Sequence, residues 1–373
     1  MESRITKKQA LCMLVIFIIS NIPVLTGYTA AERNLWLAYI IAFIAALPLY
    51  LIYSRLTTIY PEKSLYEIFG ELFGRIPGKI ISGVYILYCL NIAAMSVRNV
   101  SEFVNIVSLD KTPQIFILLC CMIVCFYVAT RGIRTMTKFA ILFLPVFVIV
   151  VFVMHIMSLN IYNYSNIEPI VIDDVPDVLK SGWVCFTFPM AESVVFLSIN
   201  SFVKTDKGEG KKIYLWGLVI SVVIIVSVVL NNILVLGIPT MIKLYYPTYT
   251  AISLIDFGVV RRLEIVSSAL FFISGLLKGS FSLYLAYIGY KNIFDKPKER
   301  RPRGYLWIFL GGTVLISVAA YFLYPSIVEL IDFLYAYSIY ALPLQLFPIV
   351  LWIIAEIKYK KNKNKNVIKS DTM

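Results

Sequence analysis

Ten apolar runs, most of them long enough to cross the hydrocarbon core of a bilayer, divide this chain of 373 residues. Bounded by charge, Pro or Gly, their approximate cores are 9–27, 35–54, 80–107, 114–130, 139–158, 181–203, 213–238, 265–290, 305–324 and 333–355. Roughly 20 residues at ~1.5 Å each span ~30 Å of lipid tails, and in that medium the backbone must satisfy its own polar groups. Because 60% of the residues are hydrophobic and only 15% charged, the pattern predicts an all-α integral membrane protein rather than a soluble core. The third run is overlong, which predicts tilt or extension beyond the bilayer. No cleavable signal peptide is evident, since the first run continues past any small-residue cleavage pattern.

The net charge of +12 would suggest nucleic acid in a soluble protein. Here the basic residues lie between and after the apolar runs, so they report topology and no nucleic-acid partner is expected. Segments 1–8, 55–79, 131–138, 204–212, 291–303 and 358–373 hold 26 of the 34 Lys and Arg residues; the alternate segments hold 6. Arg98 and Lys278 are the remaining two, inside runs. The asymmetry predicts an even number of spans with both termini cytoplasmic. The basic tail 358–373 reads as unstructured and as a topology anchor. The six cysteines all fall within apolar runs and read as small hydrophobes, and Cys120, Cys121 and Cys125 have no nearby His or acid to complete a metal site. No Walker motif, Ser–His–Asp set or zinc motif is readable, so no enzyme, cofactor or metal is expected. His155, the lone histidine, reads as packed or interfacial at the end of the fifth run.

Two connecting segments resemble each other. "YPEKSLYEIFG" (60–70) joins the second and third runs, and "YPTYTAISLIDFG" (246–258) joins the seventh and eighth. Both open with Tyr-Pro, place Ser or Thr three residues after the proline, and end in Phe-Gly. Pro can open a helix because its missing N–H is not needed there. The prolines lie 186 residues apart, half the chain, on opposite predicted sides. Two five-span halves of inverted topology would give that arrangement, with the first helix of each half broken near the midplane. The first run contains "FIISNIPVLTG" and the sixth "FTFPMAE", each with a proline that frees a backbone carbonyl about one turn upstream. This reading divides the chain into a cytoplasmic N-terminus (1–8), a first repeat (9–158), an extracytoplasmic loop (159–180), a second repeat (181–357) and the tail.

Three spans carry charge. Glu192 lies twelve residues from both Lys180 and Lys204. A charge at that depth costs about 2.5–3.5 kcal/mol or more unless it is paired, protonated or wet. It is expected to line a cavity between the two interrupted helices. Arg98 and Glu102, at i, i+4, share one face of the third helix, as a structural ion pair or as a ligand contact. Lys278 sits mid-span among Ser274, Gly275, Gly279, Ser280 and Ser282, too deep for easy snorkelling. Its ammonium needs a carboxylate, a freed carbonyl or a ligand; Glu192 is the candidate partner, as a structural lock or in a ligand or ion-coupling role.

The stretches "ITKKQALCMLVIF", "YPEKSLYEIFGELFG", "GKIISGVYILYCLNIAAMSVRNVSEFV" and "NIEPI…VLKSG…FTFPMAESVVF" together resemble the B subunits of bacterial endospore germinant receptors, over about residues 5–357. That family is similar to amino-acid permeases of the amino acid–polyamine–organocation superfamily. The resemblance implies ten helices in a five-plus-five, LeuT-like inverted repeat, embedded in the spore inner membrane. It also implies a nutrient germinant, often an amino acid, and partner A and C (lipoprotein) subunits. Where related chains carry a Gly-rich unwound segment, this one has Ile22-Pro23-Val24, which removes the easy approach of backbone N–H groups to a ligand carboxylate.

The expected ligand site lies between helices 1, 3, 6 and 8. Backbone around Asn21, Ile22, Pro23, Val24 and Thr26 and around Phe188, Pro189 and Glu192 would take the ligand's polar ends, while Val97, Arg98, Leu277 and Ser282 would shape the rest. Glu102, Glu192 and Lys278 are the ion-coupling or structural charges. Three functions fit: a nutrient-sensing receptor subunit, a proton-coupled amino-acid permease, and a structural subunit with a vestigial pocket. The charge asymmetry makes one prediction directly. In cells making the chain with a reporter at each terminus, both reporters will be reached only from the cytoplasmic side; opposite sides would mean an odd number of spans.

Overall fold

The computed structural model describes residues 4–25, 31–168, 175–203, 210–255, 262–294, 318–324 and 327–371. Among them there is no β-strand, only an isolated bridge between Ile5 and Val203. The helices are α1 (Lys7–Ile19), α2 (Ile22–Leu25), α3 (Leu35–Ile59), α4 (Leu65–Phe73), α5 (Arg75–Val107), α6 (Gln114–Thr130) and α7 (Ile133–Ser158). They continue as α8 (Val175–Cys185), α9 (Gly210–Leu236), α10 (Ile238–Met241), α11 (Pro247–Ser253), α12 (Leu263–Phe294) and α13 (Ile327–Asp371). Between α8 and α9 the chain runs through a wide π-type turn, Phe186–Met190, into a tight 3₁₀ helix, Ala191–Phe202.

Seven helical stretches among the described residues are long and apolar enough to cross a membrane. α6, with 17 residues, is a shorter apolar helix, and the overlong third run becomes the 33-residue α5. The first run forms α1, then a turn at Ser20–Asn21, then α2. The ninth run lies largely outside the described residues. The tail differs from the sequence expectation: helix α13 continues through Asp371. No Pro or Gly follows Pro348 in that helix, and Lys is a good helix former, so nothing local stops it.

Sequence signals explain the helix starts. Thr6 and Gln9 form a reciprocal capping box on α1, and Ser64 and Glu67 form another on α4. α11 begins at Pro247, where a missing N–H costs nothing. Which helices sit inside follows from composition. The stretch Val175–Phe202 is 94% buried over its apolar window and Ile133–Ile161 only 28%, so the former is the centre of the bundle and the latter a wall facing outward. Outward side chains such as Ile44, Ile123, Leu142, Phe152 and Ile339 are large and apolar, as lipid contact demands.

α5 and α12 form the most extensive interface between helices. Glycine permits it: a Cβ on Gly275 would lie 2.3 Å from Val100 Cγ2, and one on Gly279 would lie 3.2 Å from both Val97 Cγ2 and Cys125 Sγ. Some of the other contacts come in matching pairs. α1 packs on α9 and α7, while the 186–202 segment packs on α3 and α13. α11 packs on α2, while α4 packs on Ala191–Phe202. In these pairs, exchanging each element for one about half a chain away gives the other contact.

The α5–α12 seam yields a test. Gly275→Val should destabilise the protein by about 1–3 kcal/mol, the usual range for overpacking. Val100→Ala in the same chain should recover much of that loss. Thermal unfolding in detergent reads both, and failure of the second change to recover stability would place the strain elsewhere.

Candidate functional site

The centre of the bundle is built around a broken helix. Phe188 has φ −134° and ψ 108°, so its backbone is extended within an otherwise helical stretch, and Pro189 supplies no N–H. Two carbonyls beside the break are met by side chains from other helices. Gln345 Nε2, from α13, donates to Thr187 O (2.8 Å), and Tyr50 OH, from α3, donates to Met190 O (3.0 Å). Each such bond contributes about 1 kcal/mol net, but leaving the buried group unmet costs more.

Glu192 follows the break by three residues and is wholly buried. Lys278 Nζ donates to its Oε2 at 2.5 Å, and Tyr337 OH donates to its Oε1 at 2.7 Å. Donor accounting then orients the next bonds. Tyr337 spends its proton on Glu192, so in the 3.0 Å contact between the Tyr88 and Tyr337 hydroxyls the donor is Tyr88. Gln345 Nε2 in turn donates to Tyr88 (2.8 Å). A one-way chain runs from Gln345 through Tyr88 and Tyr337 to Glu192.

The ammonium also meets two aromatic rings. Lys278 Nζ lies 4.6 Å from the centroid of Phe17 and 5.3 Å from that of Phe188. Both rings turn their electron-rich faces to the cation, a contact worth about 2 kcal/mol when dry. Phe17 belongs to α1 and packs edge-on against Phe196 and Phe281. One lysine on α12 therefore ties together α1, the broken helix and its own helix.

A second charged cluster sits further along α5. Arg98 Nη1 lies 3.2 Å from Glu102 Oε2, Nη2 donates to Tyr324 O (3.0 Å), and the guanidinium stands 4.8 Å over the Tyr324 ring. Tyr324 OH donates to Asn99 Oδ1. Both members of the ion pair are buried.

Among the remaining expected residues, Val97, Phe188, Pro189, Leu277 and Ser282 are all buried, and Leu277 and Ser282 flank Lys278 on α12. Asn21 and Ile22 are buried and Pro23 is half-buried. Val24 lies in α2, and Thr26 lies outside the described residues. Glu192, expected to line a cavity, lines neither of two cavities, of about 20 and 40 Å³, found among the described residues. The larger of these touches Ile22 and Pro23 but is otherwise walled by α1, α7, α9, α11 and α12. His155 bridges α7 and α9, with Nδ1 2.7 Å from Val151 O and Nε2 2.9 Å from Ser227 O.

Sequence reasoning did not find Tyr50, Tyr88, Tyr337, Gln345 or Phe17. Gln345 carried a signal, being a polar side chain inside an apolar run. The tyrosines did not, because the chain has 25 of them and most serve as ordinary apolar or interfacial bulk.

Comparison with known proteins bears on this geometry. A family model described as spore germination protein matches residues 4–323. The chain belongs to the spore germination protein family. It is 26% identical over 369 residues to spore germination protein KB of Bacillus subtilis (strain 168), covering 97% of each chain. It is 25% identical to spore germination protein YndE and to the putative spore germination protein YfkT of the same organism, over 57% and 77% of this chain and 59% and 81% of theirs. Among solved structures, the nucleobase-cation-symport-1 family transporter Mhp1, in a closed conformation with bromovinylhydantoin bound, superposes with a TM-score of 0.65 at 12% identity. That match covers 93% of this chain and 78% of Mhp1. A manganese transporter of Eremococcus coleocola gives 0.53 at 12% identity, over 94% and 76%. This spore germination protein is therefore an integral membrane protein with the fold of LeuT-like transporters.

The ion pair makes a double-mutant prediction. Removing one partner from a buried pair costs about 3–5 kcal/mol, because the other charge is left alone. Lys278→Met and Glu192→Gln should each destabilise this protein by that order. The double variant should cost clearly less than the sum. Unfolding of detergent-solubilised protein measures all three, and simple additivity would mean that the two groups do not interact.

Proposed function

We propose that this protein is the nutrient-sensing membrane subunit of a spore germinant receptor. In this reading it lies in the spore inner membrane with both termini cytoplasmic and its ten helices form two inverted five-helix halves, residues 9–158 and 181–357. It binds a small germinant, an amino acid, between helices 1, 3, 6 and 8, and signals through A and C partner subunits. The observation that carries the reading is the Lys278–Glu192–Tyr337 junction. It joins the break after α8 to α1, α12 and α13 inside a transporter-like fold. The fold and the exchanged helix contacts support the repeat.

The junction also supports sensing over transport. Both carboxylate oxygens and the ammonium have partners within the protein, and the carbonyls at the break are met by Tyr50 and Gln345. The site is packed shut in this conformer. A ligand that binds a more open conformer better shifts the population toward it, and a sensor needs no more than that shift. A permease must also return empty. The chain Gln345–Tyr88–Tyr337–Glu192 is the feature that would serve the second reading, a proton-coupled amino-acid permease, with Glu192 as proton carrier.

Purified protein in sealed proteoliposomes, offered a labelled amino-acid panel, separates the two. Saturable binding without accumulation or exchange is the expected result, and Lys278→Met should weaken it at least about tenfold. Gradient-driven accumulation would instead establish the permease, and a well-folded sample that binds nothing would remove the sensing role from this chain.

A further inference from the structure

The limb that follows the break is wound more tightly than the long helices around it. Ala191–Phe202 is a 3₁₀ helix of 12 residues. Runs of this kind rarely exceed about three or four residues, because their hydrogen bonds are less well aligned than those of an α-helix. A 3₁₀ helix rises ~2.0 Å and turns ~120° per residue, against ~1.5 Å and ~100° in an α-helix. From Glu192 to Phe202 the present winding is therefore longer than an α-helix by about 5 Å and turned further by about 200°.

Both ends of the limb are tied to other parts of the chain. At the near end Glu192 is bonded to Lys278 and Tyr337. At the far end Ile5 N donates to Phe202 O at 2.8 Å, and Ile5 forms its bridge with Val203. Asn200 Nδ2 donates to Tyr60 O at 3.0 Å and to Lys63 O at 3.1 Å, both in the connector between α3 and α4. Arg4 pairs with Glu62 of the same connector at 2.9 Å. Ile5, Asn200 and Phe202 are buried. Packing also depends on the tight winding. Residues three apart eclipse in a 3₁₀ helix, so Phe196, Ile199 and Phe202 form one row. Phe196 meets Phe281 at 4.7 Å between ring centroids and Phe202 meets Tyr284 at 6.4 Å, both on α12. In an α-helix Phe196 and Phe202 would stand about 120° apart around the axis.

We propose that Ala191–Phe202 is a spring, held long between the Glu192 junction and a latch made by Ile5 and Asn200, which shortens into an α-helix when either end is released. Released at the latch, it draws Phe202 about 5 Å toward Glu192. Released at Glu192, it draws the junction toward the latch. The two anchors are thereby coupled, and whatever stabilises one favours the other by the same free energy. Withdrawal of Val203 from Ile5 also opens the cavity of about 20 Å³ that Asn200 and Val203 share with Ala10, Thr57 and Gly210. This device goes beyond the sensing role and stands without it.

The test places spin labels at Ser201→Cys and Tyr164→Cys in the full chain, with Cys12 and Cys120, the native cysteines that are not buried, changed to Ala. Ser201 is half-buried. Tyr164 is exposed beside the end of α9 away from Gly210, where Asn163 N donates to Leu234 O at 2.9 Å. Pulsed electron–electron double resonance in detergent reads the separation of the labels. Ile5→Pro combined with Asn200→Leu removes the latch donors, and the expected result is a separation shorter by about 4–5 Å. An unchanged, merely broadened or longer separation would overturn the spring, because simple fraying of the latch gives those results. If the double variant does not fold, Asn200→Leu alone should add a second, shorter population to the distance distribution. A single unchanged distance in that variant would overturn the spring equally.

Discussion

The ion pair between Glu192 and Lys278 is the constraint on which the rest of the structure depends. An isolated charge at membrane depth is expensive, and two of them are tolerable only when they meet at bonding distance with their other positions filled. Each neighbouring feature serves that condition. Tyr337 takes the second carboxylate oxygen, and Phe17 and Phe188 face the ammonium. The small residues around Lys278 let α12 lie close enough to α5 for the lysine to stay in the interior. The extended backbone at Phe188 places Glu192 on a segment that is no longer in register with α8.

The break itself is stabilised from outside. A helix interrupted in a bilayer exposes carbonyls that lipid cannot satisfy, so they must face protein. Here α3 and α13 provide the donors, through Tyr50 and Gln345. The Thr187 and Met190 carbonyls are already engaged, so in the proposed reading a ligand at this break would compete with internal bonds. Competition of that kind suits a switch between two packed states better than a site that stands permanently open.

Polar links at the ends of the bundle accompany this closed centre. Arg98 joins α5 to Tyr324 next to α13, with Glu102 beside it. Toward the other terminus of the bundle's helices, Arg55 and Glu356 form a two-point pair between α3 and α13. There Lys358 also donates to the last carbonyls of α4, and Asn200 donates to Tyr60 O and Lys63 O. Part-exposed pairs of this sort contribute little stability singly, but they define which helix ends move together.

The amino-acid sequence by itself determined the membrane class, the positions of most helices and the identity of the deep charges. Those properties are local: a run of apolar residues, a proline, or a lone Glu or Lys among aliphatics is visible within a window of about 20 residues. The same is true of the two Tyr-Pro connectors, which became α4 and α11. What only the tertiary structure decided is the set of partners. Glu192 and Lys278 are 86 positions apart and Gln345 and Tyr88 are 257 apart, so no local pattern fixes their separation. It is set by how closely α5 and α12 pack and by the extended turn at Phe188, which are sums over many side-chain contacts. Tyr88 and Tyr337 illustrate the limit: their chemistry is ordinary, and only the helix crossings that bring their hydroxyls within 3.0 Å make them part of the site.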